Sequence, residues 1–159
     1  MHDALHYVDR IAINYKPRAI LLYEGDNDLA QGISPELIRD TFLKLAAKVH
    51  DKLPETRIYI LSIKPSIARR TLWPEAQRTN RLFAAECEND KLLIYLDVAT
   101  PMLDANGEIR ADLFIEDKLH MNRAGYDLWR KTLKPLLEKH ELASERITLF
   151  RREFDFGHM

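Results

Sequence analysis

A carboxylate and an imidazole stand three residues apart in the segment Asp117-Lys118-Leu119-His120. A helical pattern follows, because Asn122 is a good N-cap and Tyr126, Trp129 and Leu133 recur at helical spacing. A histidine on such a loop can act as a general base when a nearby carboxylate binds the opposite ring nitrogen and fixes the tautomer. The segment therefore predicts two members of a hydrolytic triad, with Asp117 orienting His120.

A second candidate segment, Glu24-Gly25-Asp26-Asn27-Asp28, directly follows an apolar run. Glycine permits a sharp turn, and the Asn27 amide can donate to negative charge that develops on a carbonyl oxygen. Gly, Asp and Asn are also the commonest residues of ordinary turns, so a plain turn is the alternative.

Carboxylates and an imidazole could also bind a metal ion, and the candidates would be Asp26, Asp28, Asp117 and His120. Acidic turns are common, however, and no second histidine lies at ligand spacing. We therefore expect neither a metal nor another cofactor.

Alternating apolar patterns predict the elements that must position these residues. Helices are expected over residues 3–14, after the Ser34-Pro35 cap, after Pro74 and after Asn122. Continuous apolar runs predict strands buried on both faces at residues 19–23, 57–61 and 92–96. This alternation is typical of a parallel sheet with helices on its faces, where ligands bind beyond the carboxyl ends of the strands.

The segment after the second predicted strand is ambiguous. Ser62-Ile63-Lys64-Pro65-Ser66 and the following residues 68–73 are either a substrate-facing loop or solvated charges around a proline turn. On the first interpretation, Trp73 would wall an acyl pocket.

Composition excludes several classes of protein. The 159 residues, 46% of them hydrophobic with a net charge of −1, predict one α/β domain without a basic surface for nucleic acid. No apolar run is long enough to cross a bilayer. The single Cys87 is expected to be a half-buried, inert thiol. The first residues lack the pattern of a secretory signal, so the chain as given is expected to be cytoplasmic, although an upstream signal remains open.

Two of these motifs, in this order, resemble those of the SGNH hydrolases, also called the GDSL esterase/lipase family. The family's Gly-x-Asn-Asp block matches Gly25–Asp28, and its Asp-x-x-His block matches Asp117–His120. The resemblance implies a flavodoxin-like three-layer α/β/α fold and hydrolysis of small carboxylic esters. It also implies that His120 is the general base, that Asp117 orients it, and that Asn27 donates to the oxyanion with support from Gly25, Asp26 and Asp28.

The family's nucleophile is a serine in a Gly-Asp-Ser block after the first strand, followed by a glycine block. Both blocks would precede residue 1, so we expect this sheet to lack its first strands and the chain to be a poor esterase. No serine in this chain stands in a strand-to-helix turn of the nucleophile type. Among the serines present, Ser66 is the least unsuitable candidate to replace the missing nucleophile.

Loss of a central strand would leave residues 19–23 as an apolar edge, which proteins normally cover. We expect a homodimer through this edge or through the C-terminal tail. The family-like domain is expected over residues 3–140 and the tail over residues 141–159, with a possible extra strand at residues 146–150. A non-catalytic oligomerising module derived from the same fold is the alternative function.

Overall fold

The computed structural model describes residues 1–142. The elements of the domain follow one another as strands β1 to β3 and helices α1 to α5, joined by short 3₁₀ turns. The strands are β1 (Ala19–Leu22), β2 (Arg57–Leu61) and β3 (Leu93–Leu96), and the helices are α1 (His2–Ile11), α2 (Asp26–Ala30), α3 (Pro35–Lys52), α4 (Trp73–Asn89) and α5 (Arg123–Leu137), with a π-helical turn at Glu138–Leu142.

The three strands form one parallel sheet in the order β1-β2-β3. This confirms the predicted parallel α/β fold, including the three strands to within one residue at each end. Within residues 1–142, β1 has a neighbouring strand on one side only. The strand predicted at residues 146–150 lies outside the described residues.

Helices cover both faces of the sheet. Residues of α1, α3 and α4 form one core with the side chains of Ile20, Ile58 and Ile60. On the opposite face, Tyr59 and Leu61 pack beneath α5 through Trp129 and Leu133. The result is a three-layer arrangement in which β2 is buried on both faces. The same burial was expected of β1 and is wrong there, since β1 has no fully buried residue and Leu21 is 50% exposed.

Local signals account for the helix starts. The Ser34 side chain accepts a hydrogen bond from Leu37 N, and the Asn122 side chain accepts one from Gly125 N, so both predicted N-caps are confirmed. Helix α2 was not predicted, since residues 26–28 were read as a turn. Gly25 has a φ of 109°, which reverses the chain after β1 and allows a short helix to begin at Asp26.

Asn80 of α4 fixes the segment that leaves β2. Its side chain accepts a hydrogen bond from Ile63 N at 2.7 Å and donates one to Ile63 O at 3.0 Å. Residues 61–66 are buried throughout, so this amide replaces the water that would otherwise satisfy the backbone. None of the helices in residues 1–142 is long and apolar enough to span a bilayer.

Candidate active site

The loop before α5 carries the predicted imidazole and carboxylate. The backbone of this loop folds back on itself through Ile115 N, which donates to His120 O at 3.0 Å. Asn122 ties the loop to its surroundings by donating to the carbonyl oxygens of Asp112 and Phe114 at 2.8 and 3.1 Å. The same side chain therefore caps α5 and fixes the loop that precedes it.

Asp117 holds the imidazole of His120. The ring Nδ1 lies 2.6 Å from Asp117 Oδ2, while Asp117 Oδ1 accepts from the backbone N–H groups of Leu119 and His120 at 2.9 Å each. The hydrogen bond from His120, and then those from the backbone, lower the pKa of Asp117 to about 2. The carboxylate is therefore ionised at neutral pH and favours the tautomer with a proton on Nδ1, which leaves the Nε2 lone pair free as a base.

Asn27 and His120 line the same pocket, beyond the carboxyl ends of the strands. The cavity measures about 340 Å³, within the range for small-molecule sites. Glu24, Gly25 and Asp26 line it as well, whereas Asp28 does not. Its other lining residues are apolar, aromatic or cationic: Tyr23, Lys64, Arg69, Leu119, Met121, Tyr126 and Trp129.

Gly25 allows the close approach of two segments at the pocket wall. A Cβ placed on this residue would lie 2.6 Å from Ile63 Cδ1. The start of α2, which carries Asn27, can therefore pack directly on the loop after β2.

Lys64 and Arg69 are site residues whose role was left open by the sequence analysis. Lys64 is 8% exposed, so it is not one of the solvated charges of a proline turn. Its Nζ donates to Leu119 O at 2.9 Å and lies 3.6 Å from Asp26 Oδ2. Burial lowers the pKa of Lys64, against the opposing effect of Asp26. In the sequence, the one signal that could have predicted a buried Lys64 is its position between the apolar residues Ile63 and Pro65 in the segment directly after a strand.

Aromatic side chains form one wall of the pocket. Tyr23 and Trp129 meet edge to face, with ring centroids 5.1 Å apart. Trp129 lines this pocket, whereas Trp73, which was considered as the wall of an acyl pocket, lines a smaller neighbouring cavity.

The described serines lie outside this pocket. Ser34 caps α3, and the Ser62 hydroxyl accepts from the backbone N–H groups of Val98 and Ala99 at 2.9 Å each. Ser66 is 3% exposed, lines the smaller cavity beside Trp73, and its hydroxyl has no hydrogen-bond partner among residues 1–142. The pocket thus brings together the Asn27 amide and the His120 imidazole, which Asp117 holds by a hydrogen bond, but no serine from the described part of the chain.

Two other sequence expectations concern reactive or metal-binding groups. Cys87 is partly buried, and burial raises the pKa of its thiol to about 12, as expected for an inert cysteine. Within the described residues, no group of three or more His, Cys, Asp or Glu side chains is arranged to hold a metal ion.

Comparisons with known proteins agree with this architecture. The model of the GDSL-like lipase/acylhydrolase family matches residues 2–128. None of the curated proteins matches the sequence.

Solved structures resemble the fold at low sequence identity. A GDSL-like lipase from Bacteroides thetaiotaomicron has a TM-score of 0.68 and 20% identity, over 85% of this chain and 69% of the other. A catalytic mutant of an acetylxylan esterase from Geobacillus stearothermophilus has a TM-score of 0.68 and 12% identity, over 82% and 64%. A protein from Streptococcus pneumoniae described as a platelet activating factor has a TM-score of 0.67 and 22% identity. The match covers 75% of this chain and 59% of that protein's length.

Proposed function

Because the chain belongs to the GDSL-like lipase/acylhydrolase family, we propose that it carries the base and the oxyanion-binding group of a serine ester hydrolase acting on carboxylic esters. The observation that carries this proposal is the shared pocket of Asn27 and the His120–Asp117 pair.

In the proposed reaction, His120 Nε2 removes the proton of a serine hydroxyl as the oxygen attacks the ester carbonyl. The Asn27 amide donates to the oxyanion of the tetrahedral intermediate, and the imidazolium then returns the proton to the departing alcohol. Water repeats the sequence on the acyl-enzyme and releases the acid. Asp117 stays ionised throughout and stabilises the imidazolium.

The chain is expected to be a slow esterase, since no serine of residues 1–142 lines the pocket. Without a serine, His120 can still activate water directly, and the amide donor can still stabilise the oxyanion. Sites that lose one triad member retain about 10³–10⁴-fold acceleration over the uncatalysed reaction. Ser66 stays a weak candidate for the nucleophile, because it would have to leave its own cavity to reach His120.

Hydrolysis of p-nitrophenyl acetate by the wild type, by His120→Ala and by His6→Ala tests the proposal. His6 is an exposed histidine on α1 and controls for nonspecific reaction of surface imidazoles with the ester. We expect a rate above buffer that His120→Ala abolishes and His6→Ala retains. Equal rates for the wild type and His120→Ala would contradict a catalytic role.

The alternative is a non-catalytic oligomerising module, and it is favoured by the side of β1 that has no strand neighbour among residues 1–142. Leu21 on this strand is 50% exposed, an unusual position for a large apolar side chain in a strand of a parallel sheet. We propose that two copies of the chain pair through residues 19–23, whether or not the pocket is active.

A further inference from the structure

The segment after β2 contacts both the loop that carries His120 and the helix that carries Asn27. On the first side, Ala68 N donates to Lys118 O at 3.1 Å, and Lys64 Nζ donates to Leu119 O at 2.9 Å. Lys118 has a φ of 56°, a left-handed conformation that costs a non-glycine residue roughly 1 kcal/mol. The two bonds therefore hold a strained loop directly beside the base.

On the second side, Arg69 contacts two consecutive residues of α2. Its Nη1 lies 2.8 Å from Asp26 Oδ1 in an ionic contact that is not aligned as a hydrogen bond. Its Nη2 donates a hydrogen bond to Asn27 Oδ1 at 3.0 Å. The guanidinium thus uses its fork to reach a carboxylate and an amide together, which a lysine ammonium on a single stem cannot reproduce.

This bond decides which end of the Asn27 amide is free. With Oδ1 occupied by Arg69, the amide NH₂ is left to donate, and no residue of the described range accepts from it. A freely rotating amide would present its oxygen to the pocket part of the time, and that oxygen would repel an oxyanion. A fixed donor requires no reorganisation when negative charge develops.

Lys64 and Arg69 meet at Asp26. Lys64 Nζ lies 3.6 Å from Asp26 Oδ2, while Arg69 contacts Oδ1 of the same carboxylate. The side chains of Lys64, Asp26 and Arg69 are 8%, 19% and 21% exposed, so this cluster is largely shielded from solvent. The carboxylate therefore links the two cations, one bonded to the base loop and the other to the amide.

We propose that Arg69 is a positioning residue that selects the donor orientation of the Asn27 amide, and that Lys64 and Asp26 hold this amide at a fixed spacing from His120. The effect of this arrangement on catalysis rests on the proposed function. The orientation of the Asn27 amide by Arg69 does not. The competing explanation is that Lys64, Asp26 and Arg69 stabilise the fold without orienting the Asn27 amide.

Arg69→Lys separates these explanations, because it keeps a positive charge beside Asp26 but loses the second arm of the fork. The readout is the nitrogen-15 order parameter of the Asn27 side-chain NH₂, assigned by its loss in Asn27→Ala. We expect a rigid value of about 0.8 in the wild type and a value below about 0.6 in Arg69→Lys and Arg69→Met. An unchanged melting temperature in Arg69→Lys would show that the fold is retained.

Arg70→Met is the matched control, since Arg70 adjoins Arg69 but is 59% exposed and its guanidinium forms an ion pair with Glu108 at 3.4 Å. It should leave the Asn27 amide rigid. An amide equally rigid in the wild type, Arg69→Lys and Arg69→Met would overturn the proposal. So would an amide that is mobile already in the wild type.

The role of Lys64 is tested by residual dipolar couplings of the backbone amides in residues 26–30 and 117–120. In the wild type both segments should fit one rigid orientation. In Lys64→Met they should require two, while the exposed Lys91→Met should behave as the wild type. A single orientation in Lys64→Met would exclude Lys64 from the linkage.

Where His120-dependent hydrolysis is measurable, Arg69→Lys should lower kcat by about 10–10³-fold with little change in KM, as expected for lost oxyanion stabilisation. Combining Arg69→Lys with Asn27→Ala should then cost no more than Asn27→Ala alone. Additive losses would contradict action through Asn27. Absence of His120-dependent hydrolysis would refute the proposed function and leave the order parameters as the test of positioning.

Discussion

Asp117 keeps its charge because one carboxylate receives three hydrogen bonds. Both backbone donors come from its own loop, and the third is the ring nitrogen of His120. With the pKa lowered to about 2, the carboxylate remains ionised through the whole neutral and mildly acidic range. Acidification to pH 4 should therefore leave the orienting charge in place.

Gly25 supports the site because it has no side chain that would collide with Ile63. We expect Gly25→Ala to lower the free energy of unfolding by more than ~2 kcal/mol, because its φ of 109° is strained for alanine and the new methyl would approach Ile63 to 2.6 Å. Urea unfolding monitored by circular dichroism measures the change.

Gly32→Ala is the control for that experiment. Gly32 also has a positive φ, of 80°, but a Cβ there meets no atom within 4 Å. Its loss should be confined to backbone strain of about 1 kcal/mol. Equal losses in the two variants would show that the close approach to Ile63 is unimportant.

The backbone of the loop after β2 is held in place by one side-chain amide of α4, that of Asn80. We expect Asn80→Ala to lower the free energy of unfolding by about 2 kcal/mol or more, since it leaves the buried N–H and C=O of Ile63 without partners. Differential scanning calorimetry would record the lowered melting temperature.

The matched control is Asn89→Ala, on the exposed end of the same helix, where the amide donates to Ala85 O. Its effect should stay within ±0.5 kcal/mol. An equally mild effect of Asn80→Ala would contradict this role of the amide in the buried segment 61–66.

Elements with a local signal were predictable, and those held by distant contacts were not. Helix α3 follows from Ser34, Pro35 and the apolar spacing behind them, and the strands follow from short apolar runs. Helix α2 has five residues and only Leu29 buried, so no period was visible, and tertiary packing stabilises it.

The same distinction holds for the site. The resemblance to the family implied that Asn27 and His120 act in one site, and the position of Asn27 directly after a strand agrees with where parallel sheets bind ligands. The contact of Arg69 with Asn27 spans 42 positions and that of Lys64 with Leu119 spans 55, so no spacing along the chain could reveal either.

Glu141, near the end of the described residues, binds side chains of the sheet and so holds this end of the domain against the sheet. Its carboxylate accepts two hydrogen bonds from Arg57 and one from Tyr59, and lies 3.1 Å from Arg18. The hydrogen bond from Arg57 is the main cause that lowers the pKa of Glu141 from 4.5 to about 2.

A depressed carboxylate pKa stabilises the folded state above the unfolded value, and this stabilisation is lost as the pH falls toward the folded value. We therefore expect Glu141→Gln to lower the melting temperature at pH 7 and to have a much smaller effect near pH 2.5. Thermal unfolding at both pH values measures this. Glu138→Gln, at a 51% exposed position paired with Lys134, should show no such dependence.

The side of β1 that lacks a strand neighbour in the described part of the chain gives a prediction about assembly. We expect the chain to be dimeric at micromolar concentration and Leu21→Lys to shift it to monomer, because a lysine on an edge strand opposes strand pairing. Sedimentation equilibrium gives the mass. Leu37→Lys, at a similarly exposed position on α3, should remain dimeric. A monomeric wild type would rule out pairing through residues 19–23.

The imidazole of His120 stands 70% exposed, in open contact with bulk solvent. An acyl group held beside it would meet bulk water long before it met a second alcohol. Deacylation would then end in free acid, and transfer to another hydroxyl compound would succeed only when that acceptor first displaced solvent by binding at the rim.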